Sequence, residues 1–288
     1  MQLTLLAIKL LNLQTLMRIY LEKSGRHYRA DLTAPIDISL PLKTGQDTVN
    51  CYYADEVTYS TIAVGDFVGS TLQGGSCNYQ RISLTPHGNG THTECYGHIS
   101  TDGATIHECH KDFFSLALLI TVPLLTLPNG DQLITLESIE KNVLYKRPEA
   151  LIIRTLPNDD TKKTRHYSGT NPPYLEASIG TYLADKGIKH LLLDLPSVDK
   201  EWDEGALSAH RNFWGLPPRH QPIDEKEIRK DCTITELIYV PDNVADGLYL
   251  LNLQIASFLS DASPSKPVLY QLWEEEVKEI INYFGAIV

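Results

Sequence analysis

Five of the ten histidines of this 288-residue chain, at positions 87, 92, 98, 107 and 110, fall within 24 residues, where an even spread would put fewer than one. Inside that window the run PHGNGTHTECYGHIS sets His87, His92, Glu94 and His98 at short steps around Gly88, Gly90 and Gly97. Imidazole nitrogens and a carboxylate oxygen are a donor set suited to Zn or Mn, and glycines let the backbone turn tightly enough for the donors to converge. The spacing is not H-E-x-x-H, which excludes a helical zincin site on the motif. His107 and His110, in TIHECHKD, read instead as a polar loop or as a pair standing behind the ligands. Cys95 and Cys109 read as small buried apolar side chains.

Other chemistry-bearing patterns are weaker. GGSCN at 74–78 is one substitution from the G-x-S-x-G elbow, and HGNG at 87–90 looks superficially like an oxyanion-hole glycine run. A serine hydrolase of that kind needs its serine on a strand-to-helix turn and its oxyanion motif earlier in the chain, and here the order is reversed. Neither a Walker A sequence nor a Rossmann glycine fingerprint is present. Trp202, Phe213, Trp214 and the pair Tyr52 and Tyr53 could line a pocket for a planar ring, although ordinary core packing explains them equally well. The acidic run from Asp199 to Glu204 reads as a solvated loop face.

The elements that must position these residues are mostly short strands. Segments 30–40, 78–85, 117–126, 150–155, 190–195, 236–240 and 247–256 are rich in Val, Ile, Leu and Tyr and bounded by Pro, Gly or Asn-Gly. A helix is expected from Pro172 to Lys186, with Asn171 as its cap, Leu175, Ile179 and Leu183 on one face, and Gly187 as its stop. A second is expected near the C-terminus, where Trp273, Val277, Ile280, Ile281 and Phe284 follow the helical period. Mixed strands with few helices indicate an α/β or α+β class. The polar, proline-containing stretch 196–232 is too long for a simple connection and therefore suggests a functional loop.

Composition narrows the partners. Lys and Arg number 25 against 36 Asp and Glu, a net charge of −11 that argues against nucleic acid and anionic membrane as partners. Five cysteines, at 51, 77, 95, 109 and 232, form no C-x-x-C pair, so a disulfide framework and a zinc ribbon are both unsupported and a reducing cytoplasm is the expected compartment. With no linker, repeat or long charge run, a single domain is expected over 17–288. The leucine-rich residues 1–16 are too short to span a bilayer and read as an N-terminal extension, disordered or artefactual.

The run GTHTECYGHI at 90–99 resembles the H-x-G-T-H-x-D-x-P-x-H signature of the cyclase-like metal-dependent hydrolases, the family of bacterial kynurenine formamidases and isatin hydrolases. LLLDLPSVD at 191–199 resembles its D-T-P-S-x-D strand end, AHRNFWG at 209–215 its A-H segment, and the strand containing Glu236 its E-x-L/N-x strand, in order over about residues 30–270. The resemblance implies a swivelling β/β/α domain with a mixed sheet, assembled as a homodimer or higher oligomer. It implies one or two Zn²⁺ or Mn²⁺ ions held by His87, His92, Glu94, His210 and Glu236, with His98 as the acid/base. Such a metal makes water acidic enough to attack a carbonyl near neutral pH, while a histidine passes the proton to the leaving amine. The implied reaction is hydrolysis of an aryl formamide such as N-formylkynurenine, in tryptophan catabolism. Hydrolysis or cyclisation of another small amide, lactam or lactone is the alternative.

Three departures distinguish this chain from the signature. His87 precedes His92 by five positions where the family has four; Glu94 replaces Asp, lengthening the carboxylate arm by about one C–C bond; Tyr96 replaces proline. They motivate a reading of another class, a non-catalytic small-molecule-binding protein whose site has drifted.

Overall fold

The almost unbroken apolar runs FSLALLITVP, ALIIRTL and HLLL have no polar face to offer to water, and they become adjacent parallel strands covered on both sides. They belong to a ten-stranded mixed sheet in a computed structural model that describes residues 17–23, 25–143 and 148–275. Its strands are β1 (Arg18–Lys23), β2 (Arg26–Asp31), β3 (Ile36–Asp37), β4 (His92–Glu94), β5 (Phe114–Pro123), β6 (Ala150–Leu156), β7 (His190–Leu193), β8 (Thr233–Glu236), β9 (Gly247–Ile255) and β10 (Ala262–Glu275). Helices α1 (Pro86–Asn89), α2 (Ile106–Cys109), α3 (Leu136–Val143), α4 (Ser178–Asp185) and α5 (Ser208–Trp214) accompany them.

Seven strands close into a ring in the order β4, β10, β9, β5, β6, β7, β8 and back to β4. The closing strand, β10, is long enough to serve several partners: Ala262–Pro264 pair with β4, Ser265–Gln271 with β9, Val268 and Leu269 with β3, and Leu272–Glu275 with β2. The two-residue period of each strand then divides the apolar residues into two cores. Ala117, Leu119, Ala150, Ile152, Leu192, Leu251 and Leu269 form one cluster inside the ring. Leu118, Ile120, Leu151, Ile153, Leu191 and Leu193 point outwards and pack against Ile139, Ile179, Leu183, Phe213 and Trp214 of the helices. Each fully buried Leu or Ile contributes about 1.5–3 kcal/mol of transfer free energy, so this division holds the helix layer against the ring.

The strand segments expected from sequence are recovered with shifted ends, and three differences have physical causes. Segment 30–40 is broken by Ala34-Pro35 into β2 and β3, because proline cannot donate to a ladder. The expected helix 172–186 begins only at Ser178: Pro172 and Pro173 bias the chain towards extended backbone, and Tyr174–Leu175 instead pair in parallel with Leu133 and Ile134. Asn171 is not a cap; it adopts a left-handed φ of 52° and donates Nδ2–H to Asp131. Segment 236–240 is displaced to β8, which ends at Glu236 because Leu237 turns to φ 55°. Trp273 lies in β10 rather than in a helix, and the remainder of the expected C-terminal helix, like the extension 1–16, lies outside the described residues.

Residues 58–83 form an exposed arm of two short hairpins, Thr58–Thr61 with Gln80–Ser83 and Ala63–Val64 with Phe67–Val68. Ser76 of GGSCN sits in this arm ahead of a strand, so the serine-elbow geometry is absent there. Among the described residues no helix is long and apolar enough to cross a membrane.

Candidate functional site

β4 places His92 and Glu94 two residues apart, hence on one face, and its register sets Glu236 opposite His92 and Ile234 opposite Glu94. Ile234 belongs to the outward-facing core, so the three polar side chains project from the outside of the ring towards α5, which supplies His210. Thr93 faces the other way and exchanges a hydroxyl contact of 2.8 Å with Thr235. His87 comes from α1 and His98 from the tight turn Tyr96–His98. Both turns depend on glycine: a Cβ on Gly88 would stand 2.3 Å from Ala54 Cβ, and one on Gly97 would stand 2.0 Å from the Ala104 carbonyl oxygen.

The six residues expected from sequence are brought together. His87 Nδ1 lies 3.2 Å and His98 Nδ1 3.9 Å from Glu94 Oε2, while His210 Nε2 lies 3.0 Å from Glu94 Oε1. His92 Nε2 lies 3.4 Å from Glu236 Oε2, and His210 Nε2 lies 3.7 Å from Glu236 Oε1. His87, His92 and Glu94 offer ligand atoms all within 4.8 Å of one another, as do Glu94, His98 and His210. The extra residue between His87 and His92 is accommodated in α1 and the extended Gly90, and the longer Glu94 still reaches three histidines.

The hydrogen bonds on the far side of each ring decide what the near side can do. His92 donates Nδ1–H to the Gly90 carbonyl at 3.0 Å, and His210 donates Nδ1–H to Asp199 at 2.7 Å. His87 turns Nε2 to Asp261 at 2.8 Å. In each case the remaining ring nitrogen presents a lone pair to a carboxylate oxygen, acceptor against acceptor, which is favourable only with a proton or a cation between them. His92 Nε2 and Glu94 Oε2 are buried and have no hydrogen-bond partner. Such orphans cost about 1–3 kcal/mol each when left unpaired. A divalent metal ion satisfies this donor set: imidazole nitrogens and carboxylates in a water-poor site, with the outer nitrogens already tied to oxygen acceptors.

The electrostatics agree. Burial favours neutral imidazole at His87, but the carboxylates of Asp261 and Glu94 outweigh it and raise the pKa to about 10. Burial likewise opposes charge on His210, and Glu94, Asp199 and Glu236 reverse that, holding it well above its ordinary value. Glu94 is held well below the usual carboxylate range because His98 and His210 overcome its burial. The site therefore attracts positive charge strongly.

Asp199 and Asp261 are the residues that sequence reasoning missed. Asp199 is not part of a solvated loop face: it is buried, accepts the Ala209 and His210 backbone N–H groups at 2.8 and 3.1 Å, and orients the His210 ring. A usable signal was its place at the end of the LLLDLPSVD run. Asp261 carries no motif, and only the pairing of β10 with β4 brings it to the site. A cavity of about 240 Å³ opens onto the cluster, lined among others by Tyr52, His87, His98, Ser197, His210 and Glu236. Of the aromatic candidates Tyr52 borders this cavity, Phe213 and Trp214 are core, and Trp202 and Tyr53 are exposed. His107 is exposed; His110 is buried beside Phe113 and His190, away from the cluster. Cys95 and Cys109 are buried in the outer core as expected.

The model of the Cyclase family, described as "Putative cyclase", matches residues 30–200. The chain is 28% identical over 242 residues to a kynurenine formamidase of Bacillus cereus, an alignment covering 81% of this chain and 96% of that protein. Among solved structures it is similar to a potential metal-dependent hydrolase with cyclase activity, with a TM-score of 0.58 at 17% identity over 82% of this chain and 97% of the other. It is also similar to isatin hydrolase A from Labrenzia aggregata, with a TM-score of 0.58 at 14% identity over 82% and 93%. These structural likenesses establish the fold, a mixed α/β arrangement of ring and helix layer.

Proposed function

The chain belongs to the Cyclase family, and from that membership and the geometry of its site we propose that it is a metal-dependent amidohydrolase acting on an aryl formamide of the N-formylkynurenine kind. The observation that carries the reading is the convergence of three histidine lone pairs on the carboxylates of Glu94 and Glu236, with His92 Nε2 and Glu94 Oε2 otherwise unpartnered. We assign His87, His92, Glu94, His210 and Glu236 as the residues that hold one or two Zn²⁺ or Mn²⁺ ions, in a homodimer or higher oligomer. When bound, such an ion supplies Lewis acidity, activating water and polarising the scissile carbonyl.

The remaining work falls to side chains. His98, part-exposed beside the cavity, is the group that takes a proton from the attacking water and returns it to the departing nitrogen. Asp199 fixes the His210 ring through Nδ1 and keeps Nε2 directed at Glu94. Tyr52 offers an aromatic edge at the mouth against which an aryl group can lie. The inserted residue and the longer acidic side chain, which motivate a non-catalytic reading, leave the six side chains in mutual reach.

Metal content per chain, measured on untagged protein beside His92→Ala, tests the reading together with formamidase turnover of the Zn- or Mn-loaded protein. One or two ions per wild-type chain, lost in the variant, with turnover, is the expected result. Wild-type protein that acquires neither metal overturns it, whereas metal without formamidase turnover overturns the substrate and directs attention to small cyclic amides and lactones.

A further inference from the structure

One carboxylate outside the expected set touches two of its histidines. Asp261 Oδ2 lies 2.8 Å from His87 Nε2 and 3.1 Å from His98 Nδ1, and the two rings are tilted by 33° with centroids 4.3 Å apart. The backbone behind it is fixed: the Cys95 N–H donates to the Asp261 carbonyl at 3.0 Å, continuing the β4–β10 ladder, and Ser260 Oγ donates to the carboxylate Oδ1 at 3.1 Å. The pairing that closes the ring thus sets where this residue stands, and the contacts with Ser260 and the two histidines orient its carboxylate.

We propose that Asp261 is a positioning residue that selects the tautomers of both histidines, an inference that rests on the metal-dependent reading of this site. By accepting Nε2–H from His87 it leaves the His87 Nδ1 lone pair facing Glu94 Oε2, ready for a metal ion. By accepting Nδ1–H from His98 it leaves Nε2 of that ring as the atom that exchanges protons with substrate. A carboxylate behind a metal-ligating histidine fixes the ring and raises its basicity, and loss of such a partner typically weakens metal affinity or activity by about 10–100-fold. Here a single oxygen serves a ligand and a proton carrier together, so one substitution should disturb binding and turnover at once.

The test compares wild type, Asp261→Ala and Asp261→Asn by two readouts. Zn²⁺ affinity from chelator competition, with kcat and KM of loaded protein, is expected to fall about 10–100-fold in Asp261→Ala and less in Asp261→Asn, which keeps one oxygen acceptor. Proton–nitrogen NMR of metal-free protein is expected to show slowly exchanging His87 Nε2–H and His98 Nδ1–H protons in wild type, both lost to solvent exchange in Asp261→Ala. Unchanged Nε2–H and Nδ1–H signals in a folded Asp261→Ala variant overturn the proposal whatever the metal does. A wild-type protein that shows the two protected protons but binds no metal overturns the metal-dependent reading and leaves the positioning role standing.

Discussion

Lowering the pH should destabilise this protein well before its carboxylates titrate, through a histidine far from the site. His190 opens β7 at 1% exposure; its Nδ1 meets Thr233 Oγ1 at 2.9 Å, and its Nε2 is buried without a partner. Burial, assisted by the neighbouring His110 and Lys189, lowers its pKa to about 3 from an unfolded value near 6.5. Between those values the unfolded chain binds the proton and the folded one does not, so stability is complete above about pH 6.5 and declines as pH falls towards 3. At pH 5 the unfolded group is about 1.5 units below its pKa, which at about 1.36 kcal/mol per unit is a loss of about 2 kcal/mol. In a domain of this size that corresponds to a fall in Tm of about 4–8 °C. Calorimetry of metal-free wild type and His190→Asn at pH 7 and pH 5 isolates the effect, because other titrating groups cancel in the difference. The variant should start less stable and lose less between the two pH values by about 2 kcal/mol. An identical decline in both proteins would show that His190 carries a proton in the fold and would refute the reasoning.

Further outcomes follow from particular contacts. Lys162→Met should lower the urea midpoint by the equivalent of about 3–5 kcal/mol, since it strands the fully buried Asp194, whose Oδ2 the ammonium meets at 2.8 Å. Gly97→Ala should cost about 1–3 kcal/mol by denaturant titration and depress turnover more than it depresses metal content, because the added methyl presses on the Ala104 carbonyl and displaces the turn that carries His98. His220→Gly should raise Tm by about 2 °C, as an exposed residue at φ 70° is relieved of left-handed strain. Glu236→Gln should remove bound metal without unfolding the protein, read by elemental analysis and circular dichroism; full metal retention would exclude Glu236 as a ligand.

What the sequence makes legible tracks how local the cause is. His87, His92, Glu94 and His98 announce themselves because twelve residues contain them, and β5, β6 and β7 do so because strands covered on both faces leave long apolar runs. His210 and Glu236 are visible only through resemblance to a family pattern, since nothing near them in the chain signals a ligand. The start of α4 is misread because Leu175 fits a helical stripe while its backbone is claimed by a strand partner, Ile134. β10 escapes notice for a related reason: its residues alternate in burial only where they meet β9 and β3, and change partners along their length. Asp261 is invisible because its role lies in rings contributed by other segments, and one sequence carries no record of such pairings; Asp199 shows only through its place at the end of LLLDLPSVD.

The closing strand has a consequence for how the protein comes into being. During synthesis β4, with His92 and Glu94, leaves the ribosome about 170 residues before β10, whose Ala262–Pro264 complete its ladder. Until then β4 has one edge open, the outer face lacks Asp261, and the ring is an incomplete cylinder. An unpaired edge is the surface on which chains associate wrongly. On the proposed metal-dependent reading, ion uptake belongs to the finished molecule, and a ribosome-stalled chain ending before residue 262 should bind metal weakly while being the form most in need of a chaperone.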